Sequence, residues 1–222
     1  AFLLNRSSDL CATRPGYATF YALSTVNMMQ ELRLAAGNTY NRQPMFGANG
    51  GLYRWNGSTV VAVGGSNVDQ GRHVQALPFL QKLYILNADL DYKVYNYTGH
   101  SVSSWTASTG TVPTNCTIGC VWDTRMVLSG DASNPHVVSM SRQDDPDDWD
   151  FAADADDTAG AIQSTSLVGG NIQEPVTALV PHHEHCLLMG TAHRWLVYRN
   201  NPRRGGVLVE IPGCTGPTNS AA

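Results

Sequence analysis

The feature that most constrains the fold is a recurring pair of strand-like segments joined by a turn rich in Gly, Asn or Asp. The clearest case is GLYRWNGSTVVAV (51–63), where an Asn-Gly pair separates two apolar runs and predicts a β-hairpin. The same plan recurs in KLYILNADLDYKVYNYTG (82–99), RMVLSGDASNPHVVSMS (125–141) and HCLLMGTAHRWLVYR (185–199), and QPMFGANGGLYRW (43–55) begins the series. The sequence therefore predicts repeated antiparallel hairpins.

The spacing of these hairpins indicates how they are organised. Their first strands begin near Met45, Leu83, Met126 and Leu187, at steps of 38, 43 and 61 residues. An insertion in the long third step would restore a unit of about 40 residues. Further strand-like stretches precede three of the units, in HVQALPF (73–79), CTIGCVW (116–122) and PVTALVP (175–181).

A period near 40 residues with about four strands per unit is typical of propeller blades. We therefore predict an all-β fold, a propeller-like array of about four short antiparallel blades. We expect a single domain over residues 1–222 that contains an acidic inserted loop at 142–172. A β-sandwich with similar hairpins is the alternative.

Composition supports the β assignment. Charged residues make up only 14% of the chain, below the roughly 25% of an average globular domain, and the 21 glycines and 11 prolines favour many turns. The stretch STVNMMQELRLAAG (24–37) could form a helix between Ser24 and Gly37, but the blade pattern favours a strand for MMQELRL.

Charge and cysteine content exclude several classes of protein. A net charge of −4 argues against a general nucleic-acid binder, which would carry a basic excess. Five cysteines without a CxxC spacing favour free thiols in a reducing compartment over a disulfide framework. No apolar run reaches the ~18 residues of a membrane span, and AFLLN is too short for a signal-peptide core. We therefore expect a soluble chain without its own export signal.

The order of several short pieces resembles a known family. The pieces are TRPGYATF, GGLYRWNG, KLYILNADLDYKVYNYTG, WTASTGTVPTNC, RMVLSGDASNPHVVSMSRQDDPDDWDF and VTALVPHHEHCLLMGTAHRWLVYRNNPRRGG. They resemble tailed-bacteriophage virion proteins of the neck and tail, of the propeller-bearing hub or nozzle type. In that family a SGDPxNPxxxxxSRxGDPxDWDF stretch precedes an ITALxPxxDxLLVFGxxSIWVLRGDP stretch. The resemblance runs from about Arg14 to Gly206, with SGDA and RNNP here in place of SGDP and RGDP.

The resemblance implies a structural role. We expect a homo-oligomeric ring that contacts adjacent neck or tail proteins and lets DNA pass without specific binding, in a virion assembled after synthesis in the host cytoplasm. It carries over no catalytic residue, metal or cofactor, so we expect no enzyme activity. The alternative is a carbohydrate- or receptor-binding propeller module that uses exposed aromatic residues. A metal-dependent hydrolase is the third interpretation.

An acidic cluster lies around DDPDDWDF (144–151). Eight of the 18 acidic residues fall within 14 positions: Asp144, Asp145, Asp147, Asp148, Asp150, Asp154, Asp156 and Asp157. The cluster lacks the spacing of an EF-hand, so calcium binding by Asp150 and DADD (154–157) is less favoured, as is an acid–base carboxylate pair. The favoured interpretation is an exposed acidic loop anchored by Trp149. Such a loop would repel DNA phosphates from a channel wall, so we expect it on a lumen or an outer surface.

Other candidate residues lie in the C-terminal third. His183 and His185 alternate on one strand face, and zinc would need a distant third ligand such as His193 or Cys116, so an exposed corner is favoured. The candidate interface residues are Arg194, Arg199, Arg203 and Arg204, because arginine pairs readily with carboxylates of a neighbour. A solvated turn is their alternative.

Aromatic residues recur at strand positions, and signatures of catalysis do not. The aromatic set is Tyr53, Trp55, Tyr84, Tyr95, Tyr97, Trp195 and Tyr198. We predict that these side chains form blade core rather than a sugar-stacking platform. The chain has no G-x-S-x-G motif, no P-loop and no Asp-box of the sialidase type.

Overall fold

The computed structural model describes residues 26–36, 39–152, 156–164, 172–183 and 185–217. In these residues the fold is all-β, and it includes a short 3-10 turn at Pro202–Arg204. The chain divides into two compact units, Ala1–Ser103 and Ser104–Ala222, and each is described by itself. The expectation of a single domain over residues 1–222 stays a prediction.

Unit 1 contains two four-stranded antiparallel sheets in simple sequential order. The first sheet comprises β1 (Val26–Ala36), β2 (Thr39–Ala48), β3 (Gly51–Trp55) and β4 (Val60–Ala62). The second comprises β5 (Gln75–Phe79), β6 (Lys82–Leu86), β7 (Lys93–Asn96) and β8 (Ser101–Ser104). The first strands of the two sheets, β1 and β5, lie next to each other, as they do in neighbouring propeller blades.

Unit 2 contains two further sheets of the same kind and a short parallel pair. The third sheet comprises β10 (Ile118–Trp122), β11 (Arg125–Ser129), β12 (Ser139–Met140) and β14 (Ile162–Gln163). The fourth comprises β15 (Val176–Pro181), β16 (Cys186–Thr191), β17 (Trp195–Arg199) and β18 (Val207–Glu210). The parallel pair joins β9 (Thr109–Gly110) to β13 (Asp148–Trp149). Here β10 lies beside β15.

The predicted propeller-like class is confirmed, with four separate four-stranded sheets rather than the two large sheets of a β-sandwich. The hairpin 51–63 forms as β3 and β4, and MMQELRL lies within β1, so the helical interpretation of that stretch is wrong. One boundary needs correction. The segment 142–172 is not wholly an insertion, because it contains β14, which completes the third sheet.

Each unit has its own apolar core between its two sheets. In unit 1 the core is formed by Met28, Leu32, Met45, Leu52, Val68, Val74, Ala76, Leu83, Ile85 and Tyr95. In unit 2 it is formed by Cys120, Trp122, Val127, Val138, Met140, Ile162, Ile172, Val176, Leu187, Met189, Leu196 and Tyr198. Alternation along each strand sends these residues to one face, which is why short strands suffice to build a core.

The aromatic residues divide between core and surface. Tyr84, Tyr95 and Tyr198 are fully buried, which confirms the blade-core prediction for these three. Tyr53, Trp55, Tyr97 and Trp195 are only partly buried. The part of the chain that the structure describes has no helix long and apolar enough to cross a membrane.

Candidate functional site

The acidic segment, residues 142–160, is built around Trp149. This side chain is 1% exposed, and its Nε1 donates a 2.8 Å hydrogen bond to the carbonyl oxygen of Pro146. Its ring makes edge contacts with Trp105 and Phe151, at centroid distances of 5.8 and 6.3 Å. Trp105 in turn donates from Nε1 to Asp147 Oδ1 at 2.9 Å. Trp149 therefore anchors the acidic segment, as the sequence predicted.

A short strap, residues 104–112, runs across the same tryptophan. Its strand β9 pairs in parallel with β13, and the backbone N–H of Ser108 donates to the Asp147 carbonyl at 2.7 Å. Gly110 sits at a φ of 73°, and a Cβ there would lie 2.2 Å from the Trp149 carbonyl oxygen. Only glycine fits this position, because both the backbone conformation and the close approach exclude a side chain.

Replacing Gly110 with alanine should therefore separate the strap from the acidic segment. We expect the free energy of unfolding to fall by about 2 kcal/mol or more, from left-handed strain plus the backbone clash. Urea unfolding followed by circular dichroism measures the change. Gly205→Ala is the matched control, since Gly205 has a φ of 76° and nothing within 4 Å of its Cβ position. Equal losses in the two variants would contradict the role of the close approach.

The aspartates of the segment bind backbone N–H groups in successive turns. Asp145, Asp148 and Asp150 each accept, through Oδ1, from the N–H two residues ahead, at 2.9, 3.0 and 2.9 Å. Asp157 does the same with the N–H of Ala159 at 3.1 Å. Such side-chain turns hold a loop in place of regular strand pairing. These carboxylates therefore accept hydrogen bonds from nearby backbone N–H groups and do not converge on one point.

The expected exposed loop is only partly right. Asp144 and Asp156 are exposed, whereas the remaining described members, Asp145, Asp147, Asp148, Asp150 and Asp157, are partly buried. The strap contributes to this burial, because β9 pairs with β13 and Ser108 binds the Asp147 carbonyl. Asp154 lies outside the described residues, and a position facing a lumen stays a prediction.

Two arginines, Arg142 and Arg125, bind the acidic segment and offset part of its negative charge. Arg142 forms an ion pair with Asp157 and lies 4.0 Å from Asp148. Its hydrogen bond holds the pKa of the Asp157 carboxyl below its usual value. The second arginine, Arg125, is 0% exposed at the start of β11. The two positive charges offset part of the negative charge of the segment, which lowers the repulsion among the aspartates.

Arg125 donates to three backbone carbonyls. Its Nη1 reaches Ser141 at 2.7 Å and Gly160 at 2.6 Å, and its Nη2 reaches Thr158 at 3.2 Å. Burial lowers its pKa to about 10, and the charge of Asp123 opposes that shift. The guanidinium joins the two ends of the acidic segment. The sequence analysis did not predict this role, because a single arginine at the start of the strand RMVLS resembles an ordinary exposed residue at a strand end.

Unit 1 contains a comparable polar centre, a buried hydrogen-bond cluster around Asp69 and Asn87 that corresponds to the cluster around Arg125 in unit 2. The carboxylate of Asp69, 2% exposed, accepts from three backbone N–H groups, those of Ala88, Asp89 and Leu90. Asn87 accepts from the Asp69 N–H at 3.1 Å and donates to the carbonyls of Asn67 and Asp91. This pair fixes the β6–β7 turn, and it too is structural.

The four candidate interface arginines have different environments. Arg194 pairs with Glu174 at 3.4 Å and with Glu210 at 3.3 Å. Arg203 donates from Nη2 to the Ala161 carbonyl at 2.7 Å. Arg199 and Arg204 are exposed. An interface role for the set stays a prediction, with Arg199 and Arg204 the more accessible members.

Side chains of the kinds that bind metal ions do not converge in the described residues. No group of three or more His, Cys, Asp or Glu side chains there is placed to hold an ion. The β15–β16 corner carries three exposed histidines, His182, His183 and His185. The sequence analysis favoured an exposed corner here. An open cleft of about 430 Å³ in unit 1 is lined by Gln30, Glu31, Leu32, Pro78, Phe79, Leu80 and Gln81. Its lining contains one carboxylate and no nucleophile.

The cysteines are free thiols in the described part of the chain, in agreement with the sequence. Cys116 and Cys120 are buried, and burial raises the pKa of the Cys120 thiol to about 12. Cys214 is exposed. Cys11 lies outside the described residues.

This contrast predicts the order of alkylation. At neutral pH iodoacetamide should modify Cys214 first, whereas Cys116 and Cys120 should react only after unfolding, because the thiolate is the nucleophile and burial suppresses it. Peptide mass spectrometry with and without urea measures the order. Rapid labelling of Cys120 in the native chain would contradict its burial.

Comparison with known proteins locates the fold. No family model and no curated protein matches the chain. Among solved structures, it is similar to the extracellular domain assigned to the one component system BT4673 from B. thetaiotaomicron, with a TM-score of 0.55 and 13% identity over 89% of this chain and 23% of that one. The extracellular domain assigned to the hybrid two component system BT3049 from the same organism gives 0.52 and 11% over 86% and 25%. YCF48 bound to D1 peptide gives 0.47 and 10% over 79% and 59%.

The similarities to the first two structures support the all-β, propeller-like class. The chain spans about a quarter of the length of the first two structures. At such low identity they establish the fold alone.

Proposed function

We propose that this chain is a propeller-like binding module that docks other macromolecules and catalyses no reaction. The proposal rests on the hydrogen-bond partners of the ionisable side chains. Asp69, Arg125 and four aspartates of the acidic segment form hydrogen bonds with backbone groups. A catalytic site would need such groups to be aimed at a common point with shifted pKa values. Propeller-like folds instead offer blade faces, edges and loops for docking.

The partner that we propose is a phage neck or tail assembly. Support comes from the order of the motifs SGDASNP and SRQDDPDDWDF. Residues of both motifs form hydrogen bonds that hold the fold together. In the first motif Asp131 accepts from the N–H of Ser133 at 2.9 Å, and the Pro135 carbonyl accepts from the N–H of Val176 at 2.8 Å. The first motif thus links the third sheet to β15. A family that keeps these motifs would keep the way its blades are joined.

Immunogold electron microscopy tests the virion role. Antibody raised against the chain should label particles at the neck or tail vertex, and antibody against the major capsid protein is the positive control. Labelling spread evenly over the capsid, or no labelling of intact and opened particles, would contradict the role.

The second candidate is a receptor- or carbohydrate-binding module. It is favoured by the similarity to extracellular domains and by the partly exposed rings of Tyr53, Trp55 and Trp195, which could stack on sugars. A glycan array with the purified chain separates the two candidates. Specific binding that is lost in Trp55→Ala or Trp195→Ala would favour this candidate, whereas no binding would favour the assembly role.

A further inference from the structure

The open cleft of unit 1 lies between β1 and the end of β5 and has a volume of about 430 Å³. The two strands are linked near their starts, where the N–H of Val74 donates to the Asn27 carbonyl at 3.0 Å. They belong to separate sheets, and Pro78, near the end of β5, has no N–H with which to extend a backbone ladder. The cleft opens beyond this link, and its volume is in the range of small-ligand sites.

The lining of this cleft combines apolar and amide side chains. Leu32 is 1% exposed and belongs to the core of unit 1, whereas Phe79 is partly exposed and Leu80 is 55% exposed. Gln30 and Gln81 add two amide groups, each with one acceptor oxygen and two N–H donors. A ligand that fits this lining therefore has both an apolar face and groups that donate and accept hydrogen bonds.

Charge narrows the class of ligand. None of the described lining residues is Lys or Arg, so an anionic ligand would meet no opposite charge there. The carboxylate of the lining belongs to Glu31, and Arg42 lies 3.6 Å from it and offsets part of its charge. The lining therefore favours a neutral ligand.

The mouth of the cleft is formed by a strained turn. Leu80 and Gln81 have φ angles of 46° and 61°, in the left-handed region that favours Gly and Asn. The β2–β3 turn meets the same requirement with Asn49 and Gly50. Leu80 is not one of the core residues of unit 1, so its burial does not offset this strain. Strain of this kind is found at binding sites, where the side chain serves the ligand.

We propose that this cleft binds a neutral saccharide. The apolar C–H face of a sugar ring packs against Phe79 and Leu80, and its hydroxyl groups form hydrogen bonds with the amides of Gln30 and Gln81. This inference deepens the second candidate function and rests on it. It places the site in the cleft rather than on the partly exposed aromatic rings named above.

Ligand-observed saturation-transfer NMR with the full chain tests the proposal. The neutral probes are glucose, galactose, mannose, N-acetylglucosamine, maltose and lactose at ~10 mM, where a site with a Kd of about 1 mM is mostly occupied. At least one of them should bind. N-acetylneuraminic acid is the anionic probe, and it should bind at least about 10-fold more weakly because its carboxylate meets no opposite charge.

Two variants locate the site. Leu80→Asn suits the left-handed backbone, so the urea midpoint should stay unchanged or rise while the affinity for the bound saccharide falls at least about 5-fold. Gln30→Leu keeps the side-chain volume and removes the amide, and it should weaken binding by a similar factor. Val207→Asn is the matched control, since Val207 is 50% exposed in unit 2, and the affinity should not change.

Three results would overturn the proposal. The first is that no neutral probe binds, and the second is that N-acetylneuraminic acid binds more tightly than every neutral probe. The third is an affinity that is unchanged in both Leu80→Asn and Gln30→Leu.

Failure of this inference is distinguishable from failure of the functions proposed above. Saccharide binding that is lost in Trp55→Ala but kept in Leu80→Asn would leave the carbohydrate-binding candidate and remove the cleft as its site. No saccharide binding, together with labelling of particles at the neck or tail, would remove the cleft and leave the virion role.

Discussion

Replacing Arg125 with methionine should lower the free energy of unfolding by about 3–5 kcal/mol. The guanidinium is fully buried and donates to the carbonyls of Ser141, Thr158 and Gly160. Methionine fills a similar volume but cannot donate to the buried carbonyls of Ser141 and Gly160 or to the partly buried carbonyl of Thr158. Each buried acceptor left unsatisfied costs about 1–3 kcal/mol. The expected result is a lower urea midpoint by circular dichroism.

Arg199→Met is the matched control for this change, because Arg199 is exposed at the end of β17. It should alter the free energy of unfolding by less than about 0.5 kcal/mol. A loss below about 1 kcal/mol in Arg125→Met would show that water or other groups satisfy the three carbonyls, and the closure of the acidic segment by Arg125 would be wrong.

Replacing Trp149 with alanine should lower the free energy of unfolding by about 3–5 kcal/mol, because the indole is buried. The ring is 1% exposed, and its removal opens a cavity against Trp105 and Phe151 while the Pro146 carbonyl loses its donor. The strap is held by the same tryptophan, so we also expect faster proteolysis around residues 104–112.

Trp149→Phe separates the two contributions to that loss. It keeps most of the ring volume and removes only the Nε1 donor, so it should cost about 1–2 kcal/mol. If Trp149→Ala and Trp149→Phe were both nearly neutral, the acidic segment would be a solvated loop without an anchor.

The hairpins could be predicted because short apolar runs are separated by polar turns along the chain. The pairs β3–β4 and β6–β7 each join an apolar run to a Gly, Asn or Asp turn, whereas β16 and β17 are joined by the Ala-His-Arg turn at 192–194. By contrast β9, β13 and β14 contribute two residues each, too few to leave a period in the sequence. The insertion boundary was misplaced for that reason.

The polar centres were harder to predict, because their partners are backbone groups. Asp69 lies in an unremarkable SNVDQG stretch, and its three donors come from Ala88, Asp89 and Leu90 in a later turn. Likewise, Arg125 acts on carbonyls 16 to 35 positions away. Sequence patterns indicate which side chains are polar. They do not indicate which carbonyl or N–H a fold will leave unpaired nearby.

The central proposal is that this chain is an assembly component whose polar residues build the fold and whose surfaces dock partners. The most direct test is quantitative mass spectrometry of density-gradient-purified virus particles, with copy number measured against the major capsid protein. The account predicts a low, fixed copy number, on the order of one ring per particle. Absence of the chain from particles would contradict it and would favour the receptor- or carbohydrate-binding module.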